Sequence, residues 1–382
     1  MFPYNTITFL PFSQKRQKLT EATEELRDHL LEKLCQYDFS ITQQDMLAAR
    51  QVGTGGWFLR DERFECWLTR ARTVLFCPGI PGAGKSVLAL IKPPNSQPGA
   101  GYAVAFVYCN YKELGLNLLT LLGNIIGQIL SQVSDIQQIA LNKLERFLPL
   151  MRAGQEEAYK SAFRSVSECF SRTFIIVDAL DEFSEGDTDR ERFIRILRSF
   201  CSVADVSILV TSRPIAAIEA LFENDTRIEI SASEADLAAF IKERLSNSSR
   251  RLQRLTKDNE TLQEQILQKV TKSAKGMFLL AKLQMDSLSN KHNIKDLRLA
   301  LENLPQKLDG IYNVEALARI HRQEEDDRDL AISILSWMTF ALRPLQISEL
   351  QYALALSPGD RELDREALID ETDLISVCAG LI

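Results

Sequence analysis

The sequence predicts an α/β fold with a parallel sheet, followed by an all-helical region. Two observations carry the sheet. Short runs between residues 73 and 230 are apolar throughout and do not alternate. Stretches with helical period separate them, so the strands belong to a parallel sheet covered on both faces. A third observation carries the helical region: after Ile230 the pattern is helical almost to the end.

The elements follow in order. Residues 1–18 read as a loose tail and 19–70 as a helical lead-in. Within the lead-in, "KLTEATEELRDHLLEKL" places Leu26, Leu30, Leu31 and Leu34 on one helix face. "GTGGWFLRDERFECWL" is a glycine turn before a short helix carrying Phe58, Phe64 and Trp67. Strands are expected at "TVLFC" (73–77), "VAFVYCNY" (104–111), "TFIIVD" (173–178), "VSILVTS" (206–212) and "RIEI" (227–230). Helices are expected over 115–131, 156–170 and 191–200. "SEADLAAFIKERL" opens the helical region with Ser231 or Ser233 as cap and Asp236 in the first turn. Two helices flank Gly276, and two more meet at Arg343 and Pro344. Leucine spacing over 245–267 does not sustain heptads, which favours a packed bundle face over a coiled coil. "LISVCAGLI" is expected to begin a strand, with the chain stopping inside that last domain.

Composition narrows the function. A length of 382 residues allows two or three domains, and the net charge of −7 is the wrong sign for a bulk-basic nucleic-acid binder. Seven scattered cysteines without a CxxC pair read as reduced thiols, which points to a cytoplasmic protein. The three histidines are far apart in sequence, which disfavours a zinc or Ser/His hydrolase centre. The N-terminus lacks signal-peptide features, and no apolar run reaches the ~18 residues of a membrane span.

Three motifs carry chemistry. "GIPGAGKS" comprises Gly79, Ile80, Pro81, Gly82, Ala83, Gly84, Lys85 and Ser86, with Val87 next, and matches GxxxxGK[ST]. Its glycines let backbone N–H groups turn toward phosphate oxygens. Lys85 would reach the β- and γ-phosphates and the Ser86 hydroxyl would bind Mg²⁺. The other reading is a chance glycine-rich turn. In "IIVDALDE", Asp178 ends a strand and could hold Mg²⁺ through water. Asp181 could assist at the metal, and Glu182 could orient or deprotonate a water. A solvated acidic turn is the alternative. In "LVTSRP", Thr211 and Ser212 could sense a γ-phosphate. Arg213 could neutralise charge there, or simply pair with the acidic loop.

With these motifs the chain resembles the NACHT group of signalling P-loop NTPases. The likeness is nearer to fungal NACHT–ankyrin proteins, with a P-loop module of the nephrocystin N-terminal type and a winged helix like that of GPI inositol-deacylase. "GTGGWFL", "YCNYK", "KGMFLLAKLQMDSL", "LENLP", "RPLQISELQYALA" and "ISVCAGL" extend it over roughly residues 40–382. The resemblance implies a P-loop domain over 71–232, a helical lid over 233–325 and a truncated winged helix over 326–382. It implies the strand before Arg213 lying between the P-loop and acidic strands, with Arg213 near Lys85 and Glu182. It implies an ATP/ADP switch with Mg²⁺ and slow hydrolysis, GTP being the other candidate nucleotide, and protein partners or self-association. The competing expectation is a nucleotide-binding module without turnover, acting as a truncated regulator of full-length relatives.

Three departures stand out. Pro93 and Pro94 leave the P-loop helix roughly eight residues, or about 12 Å. The expected result is an intact cradle on a shortened support, with part of the sheet face uncovered, low stability without ligand, and a deletion or mis-joined exon as origin. "KGMFL" stands where related switches carry Gly-Leu-Pro, with Met277 at the proline. No repeats follow the winged helix, whose second helix, "ISELQYALAL", has no Lys or Arg and so argues against DNA binding.

Overall fold

The computed structural model describes residues 21–48, 50–51, 53–90, 101–109, 117–133, 138–183, 187–305, 320–321, 323–343, 345–356 and 367–378. The chain divides into two compact units, Met1–Phe240 with Gly276–Phe278, and Ile241–Lys275 with Leu279–Ile382.

The first unit opens with α1 (Glu21–Leu34), α2 (Ser40–Ala48), α3 (Gly56–Leu59) and α4 (Glu62–Thr69). The single helix expected after the glycine turn is thus two. Asp61 separates them: its extended backbone ends α3, and its carboxylate accepts from Arg63 N at 2.9 Å as the cap of α4. Phe58, Phe64 and Trp67 are buried, and Trp67 Nε1 donates to Ile208 O at 2.9 Å.

The sheet strands are β1 (Thr73–Pro78), β2 (Tyr102–Tyr108), β3 (Arg172–Asp178), β4 (Val206–Ser212) and β5 (Thr226–Arg227). All pair in parallel, in the order β2-β3-β4-β1-β5. Strand β4 therefore lies between β1 and β3, as the resemblance implies. Of "RIEI", only Arg227 lies within a strand, but Ile228 N and Ile230 N still donate to Phe76 O and Pro78 O at 3.0 and 2.7 Å.

Helix α5 (Lys85–Ala89) follows the glycine loop and is five residues long. The proline-rich stretch 91–100 lies outside the described residues. The expected bare sheet face is covered from another direction. Helix α2 packs on α5, and Phe39 just before it is buried with its ring 5.6 Å from that of Tyr108.

Helices α6 (Leu118–Gln132), α7 (Gln138–Arg152), α8 (Glu156–Ser167) and α9 (Asp187–Phe200) complete the cover. Asn117 caps α6 by accepting from Thr120 N at 2.9 Å. Helix α7 has no counterpart in the sequence reading. It contains Pro149 near its end, where the missing N–H removes one bond of the ladder. Gly123 and Gly127 of α6 let α1 approach closely: a Cβ on Gly127 would run into Cys35 Sγ and meet Leu34 Cβ at 3.1 Å. The short α10 (Ala216–Ala220) precedes β5, and α11 (Glu234–Ser246) follows it. Ser233, not Ser231, caps α11, accepting from Asp236 N at 3.0 Å.

The second unit is helical: α12 (Arg250–Thr256), α13 (Glu260–Ala274), α14 (Phe278–Ser289), α15 (Ile294–Glu302), α16 (Glu325–Phe340), α17 (Ile347–Ala355) and α18 (Glu371–Val377). Ser249, Asn259 and Asn293 cap α12, α13 and α15. Ala331 and Ile334 of α16 share a small core with Leu350 of α17 and Leu374 and Val377 of α18. The strand expected from "LISV" is therefore corrected to a helix. Acids Glu371 and Asp373 fill its first turn, and Leu374, Val377 and Cys378 bury one face at helical spacing. Residues 379–382 lie outside the described residues.

Gly127→Ala is expected to lower stability by about 1–3 kcal/mol through overpacking of α1 on α6. Adding Cys35→Ala should restore part of it. Urea unfolding of the two variants checks this; equal midpoints for Gly127→Ala and parent would refute the close-packing account.

Candidate functional site

The glycine loop leaves β1 at a pinned position. Gly79 N donates to Ser212 O at 3.0 Å, and a Cβ on Gly79 would stand 2.5 Å from Ile230 O. The chain is thus held between β4 and the segment after β5, and only glycine fits. Gly82 and Gly84 have φ of 72° and 95°, which glycine adopts without strain. Ala83 is buried, Ile80 and Val87 are half-buried and Pro81 is exposed.

Lys85 folds back over this loop, its Nζ donating to Gly79 O at 2.8 Å and Ile80 O at 3.1 Å. Burial pulls its ammonium below the ordinary lysine pKa, while Asp181 and Asp178 act in the opposite sense. With five residues, α5 adds little macrodipole. The positive charge at this loop is that of Lys85.

Asp178 ends β3 and is fully buried. Burial pushes its carboxyl pKa up, and hydrogen bonds from Ser86 and Thr211 oppose that shift. Thr211 Oγ1 donates to Asp178 Oδ1 at 2.5 Å and accepts from Ala179 N at 3.0 Å. Ala179 takes a left-handed φ of 55° and turns the chain into a single 3₁₀ turn, Leu180–Glu182. That turn aims the acids back toward β4. Asp181 accepts from Arg213 N and Arg213 Nε, both at 2.9 Å, and Glu182 lies 3.7 Å from the same guanidinium.

The structure therefore brings Lys85, Ser86, Asp178, Asp181, Glu182 and Arg213 to one end of the sheet. One expectation changes. Thr211 and Ser212 are buried and bonded within the protein, Thr211 to Asp178 and Ser212 Oγ to Arg213 O at 2.9 Å. They hold the strand ends and do not stand ready for a phosphate. From "KGMFL", the residue after Met277, Phe278, is the one laid against the loop. Its ring comes within 3.4 Å of where a Cβ on Gly84 would lie and packs edge-on against Phe240. The signal for this is the Lys275–Gly276 turn, whose positive φ values and bond from Ala232 N to Gly276 O fix where α14 begins. A further contact was not legible: Gly55 N of the first glycine turn donates to the buried Asp236 at 3.2 Å.

Thr211→Val should cost about 1–3 kcal/mol, because it takes the hydroxyl acceptor from Ala179 N–H and one of the hydrogen bonds from a buried carboxyl, whereas Thr211→Ser should cost less. Chemical unfolding of both variants reads the difference. Equal losses would show that the hydroxyl is not what matters.

Residues 53–213 match the family model described as Nephrocystin 3, N-terminal, which is less than half of the chain. The match agrees with the resemblance drawn from the P-loop module. No curated protein matches the sequence. Among solved structures, a Walker-type ATPase of Pyrococcus abyssi is similar at 15% identity and a TM-score of 0.42, over 84% of this chain and 87% of that one. Cdc6p from Pyrobaculum aerophilum is similar at 11% identity and a TM-score of 0.34, over 97% and 83%. AMPPCP-bound DnaA from Aquifex aeolicus is similar at 13% and 0.33, over 87% and 79%. In this chain the glycine loop follows β1, the acidic turn follows β3 and β4 lies between them. That arrangement is the α/β core of a P-loop NTPase, and a helical region follows it.

Proposed function

We propose that this chain binds a nucleoside triphosphate, ATP first and GTP second, at the loop Gly79–Ser86, and hydrolyses it slowly as a signalling switch of the NACHT type. One observation carries the reading: Lys85 Nζ sits on the carbonyls of Gly79 and Ile80, where it feels the charges of Asp181 in the turn after β3 and Asp178 at the end of β3. The lysine's present partners are weak neutral acceptors, and phosphate oxygens are stronger ones.

The donor set fits Mg²⁺. Ser86 and Asp178 are hard oxygen donors already bonded to each other, and two protein ligands suit an ion that keeps waters and phosphate oxygens in its remaining positions. When bound, Mg²⁺ supplies charge neutralisation on the phosphates. Thr211 holds the Asp178 carboxylate in place for it. Glu182, less buried than Asp181, takes the proton from the attacking water. Asp181 keeps Arg213 at the site, where its guanidinium can offset developing negative charge.

The reading extends to the domains: a P-loop domain over 71–232, a helical lid over 233–325 and a winged helix over 326–382. It includes the fungal NACHT–ankyrin subtype, a cytoplasmic place of action and assembly with protein partners or with itself. Among the described residues no helix is long and apolar enough to cross a membrane. Helix α17 has no Lys or Arg, so it is not assigned to DNA.

A second reading draws on the Arg213 pairing. Both Asp181 and Glu182 are engaged by one arginine, which favours a nucleotide-binding module that holds its ligand without turnover.

Lys85→Ala should abolish tight binding, since the loop loses its cation. Calorimetry showing parent-like ATP affinity would overturn the cradle assignment. Glu182→Gln should keep binding and lose at least about 10²-fold in phosphate release, the usual scale for a general base. Equal release by Glu182→Gln and parent protein would favour the second reading.

A further inference from the structure

Among the described residues, β2 is an edge strand of the sheet. An edge strand offers, at alternate residues, N–H and C=O groups that point away from the sheet and can template another strand. In β2 these residues include Val104 and Phe106. Side chains of α6 take both. Phe106 N donates to Gln128 Oε1 at 2.9 Å, and Gln128 Nε2 donates to Phe106 O at 2.7 Å. Gln132 repeats the pair at Val104, at 3.0 and 2.7 Å. Each amide makes the donor and acceptor contacts that one residue of a neighbouring antiparallel strand would make.

The spacing explains why a helix can do this. Four residues of α-helix rise ~6.0 Å, and two residues of strand rise ~6.6 Å. Glutamines at i and i+4 therefore meet alternate strand residues with little mismatch. Asn124, one turn earlier, turns its amide back to Thr120 O at 2.9 Å. The helix is held in register from behind. Arg27 of α1 donates to Leu130 O and Ser131 O at 3.2 and 2.9 Å, next to the close contacts at Gly123 and Gly127. Most other α6 residues are buried and apolar, so the amide stripe is set apart from the helix's packing role.

We propose that Gln128 and Gln132 act as a surrogate strand that closes the β2 edge against pairing with the β2 edge of a second copy of this chain. Two identical edges can always meet antiparallel about a two-fold axis, so each copy carries a partner complementary to its own edge. The amides occupy the backbone groups that such pairing needs.

The test is the variant Gln128→Met/Gln132→Met, which keeps side-chain volume and removes the amides. In the dilute variant, hydrogen exchange at the Val104 and Phe106 amides should rise at least about 10-fold, while Ile175 and Val177 in β3 stay protected as a check on folding. Sedimentation should show concentration-dependent self-association, and in the associated fraction the same two amides should regain protection. The proposal is overturned if exchange at Val104 and Phe106 is unchanged, if the variant stays monomeric with both amides exposed, or if it associates without protecting them. Gln132→Met alone, which opens one rung, reads the same quantities should the double variant not fold.

Discussion

A carboxylate buried at the end of an apolar strand is tolerated only with hydrogen-bond partners, and Asp178 is such a carboxylate. Its partners come from two places. Thr211 belongs to β4 and Ser86 to the first turn of α5. Satisfying Asp178 therefore requires β4 beside β3 and the glycine loop across the strand ends. The parallel register agrees: Val177 lies opposite Val210, and Cys77 and Pro78 lie opposite Thr211 and Ser212. Strands β3 and β4 end at one level because each supplies a group to the same buried point, and β1 ends there because the loop after it brings Ser86 to that point.

The acidic turn follows from the same bond. Thr211 Oγ1 has one proton, given to Asp178, and a lone pair left for Ala179 N–H. That bond helps hold Ala179 in a left-handed conformation which costs any residue with a Cβ about a kilocalorie or more. The reversal places Asp181 against Arg213, the residue two after Thr211, so one threonine and its strand fix both the Asp178 carboxylate and the arginine pairing.

Residue chemistry decides which parts of this were legible. The glycine loop, the acids after "IIVD" and Arg213 are read from sequence because each needs particular residue types at short spacing. Thr211 was misassigned because its partner lies on another strand, and a threonine ending a buried strand gives no sign of which way its hydroxyl turns. The motif comparison marks Met277 as the departure but says nothing about the Lys275–Gly276 turn that sets where Phe278 goes. "LISV" looks like a strand by composition. The acids ahead of it and the apolar spacing from Leu374 to Cys378 make it a helix. Helix α7 is hidden by Pro149, which a helix tolerates near its end at the loss of one bond. The Gln128 and Gln132 stripe was visible as i, i+4 polarity in an apolar helix, but its meaning needed the strand beside it.

The short P-loop helix gains its explanation from the lead-in. Five residues of α5 bury Leu88 and Ala89 and contact β3 and β4, which anchors the loop but covers little of the sheet. Phe39, Gln43 and the packed side chains of Met46 and Leu47 supply cover from α2 and its approach. Burying an aromatic or aliphatic side chain of this size contributes roughly 1.5–3 kcal/mol, the same scale as a lost helical turn would forfeit. Helix α2 precedes the span 53–213 matched by the family model, so this cover is supplied from outside the matched module. The glycine loop then depends on packing against a segment that carries none of its motif residues. A change in α2 can loosen Tyr108 and α5 together, and through Ser86 it reaches the bonds that keep Asp178 in place.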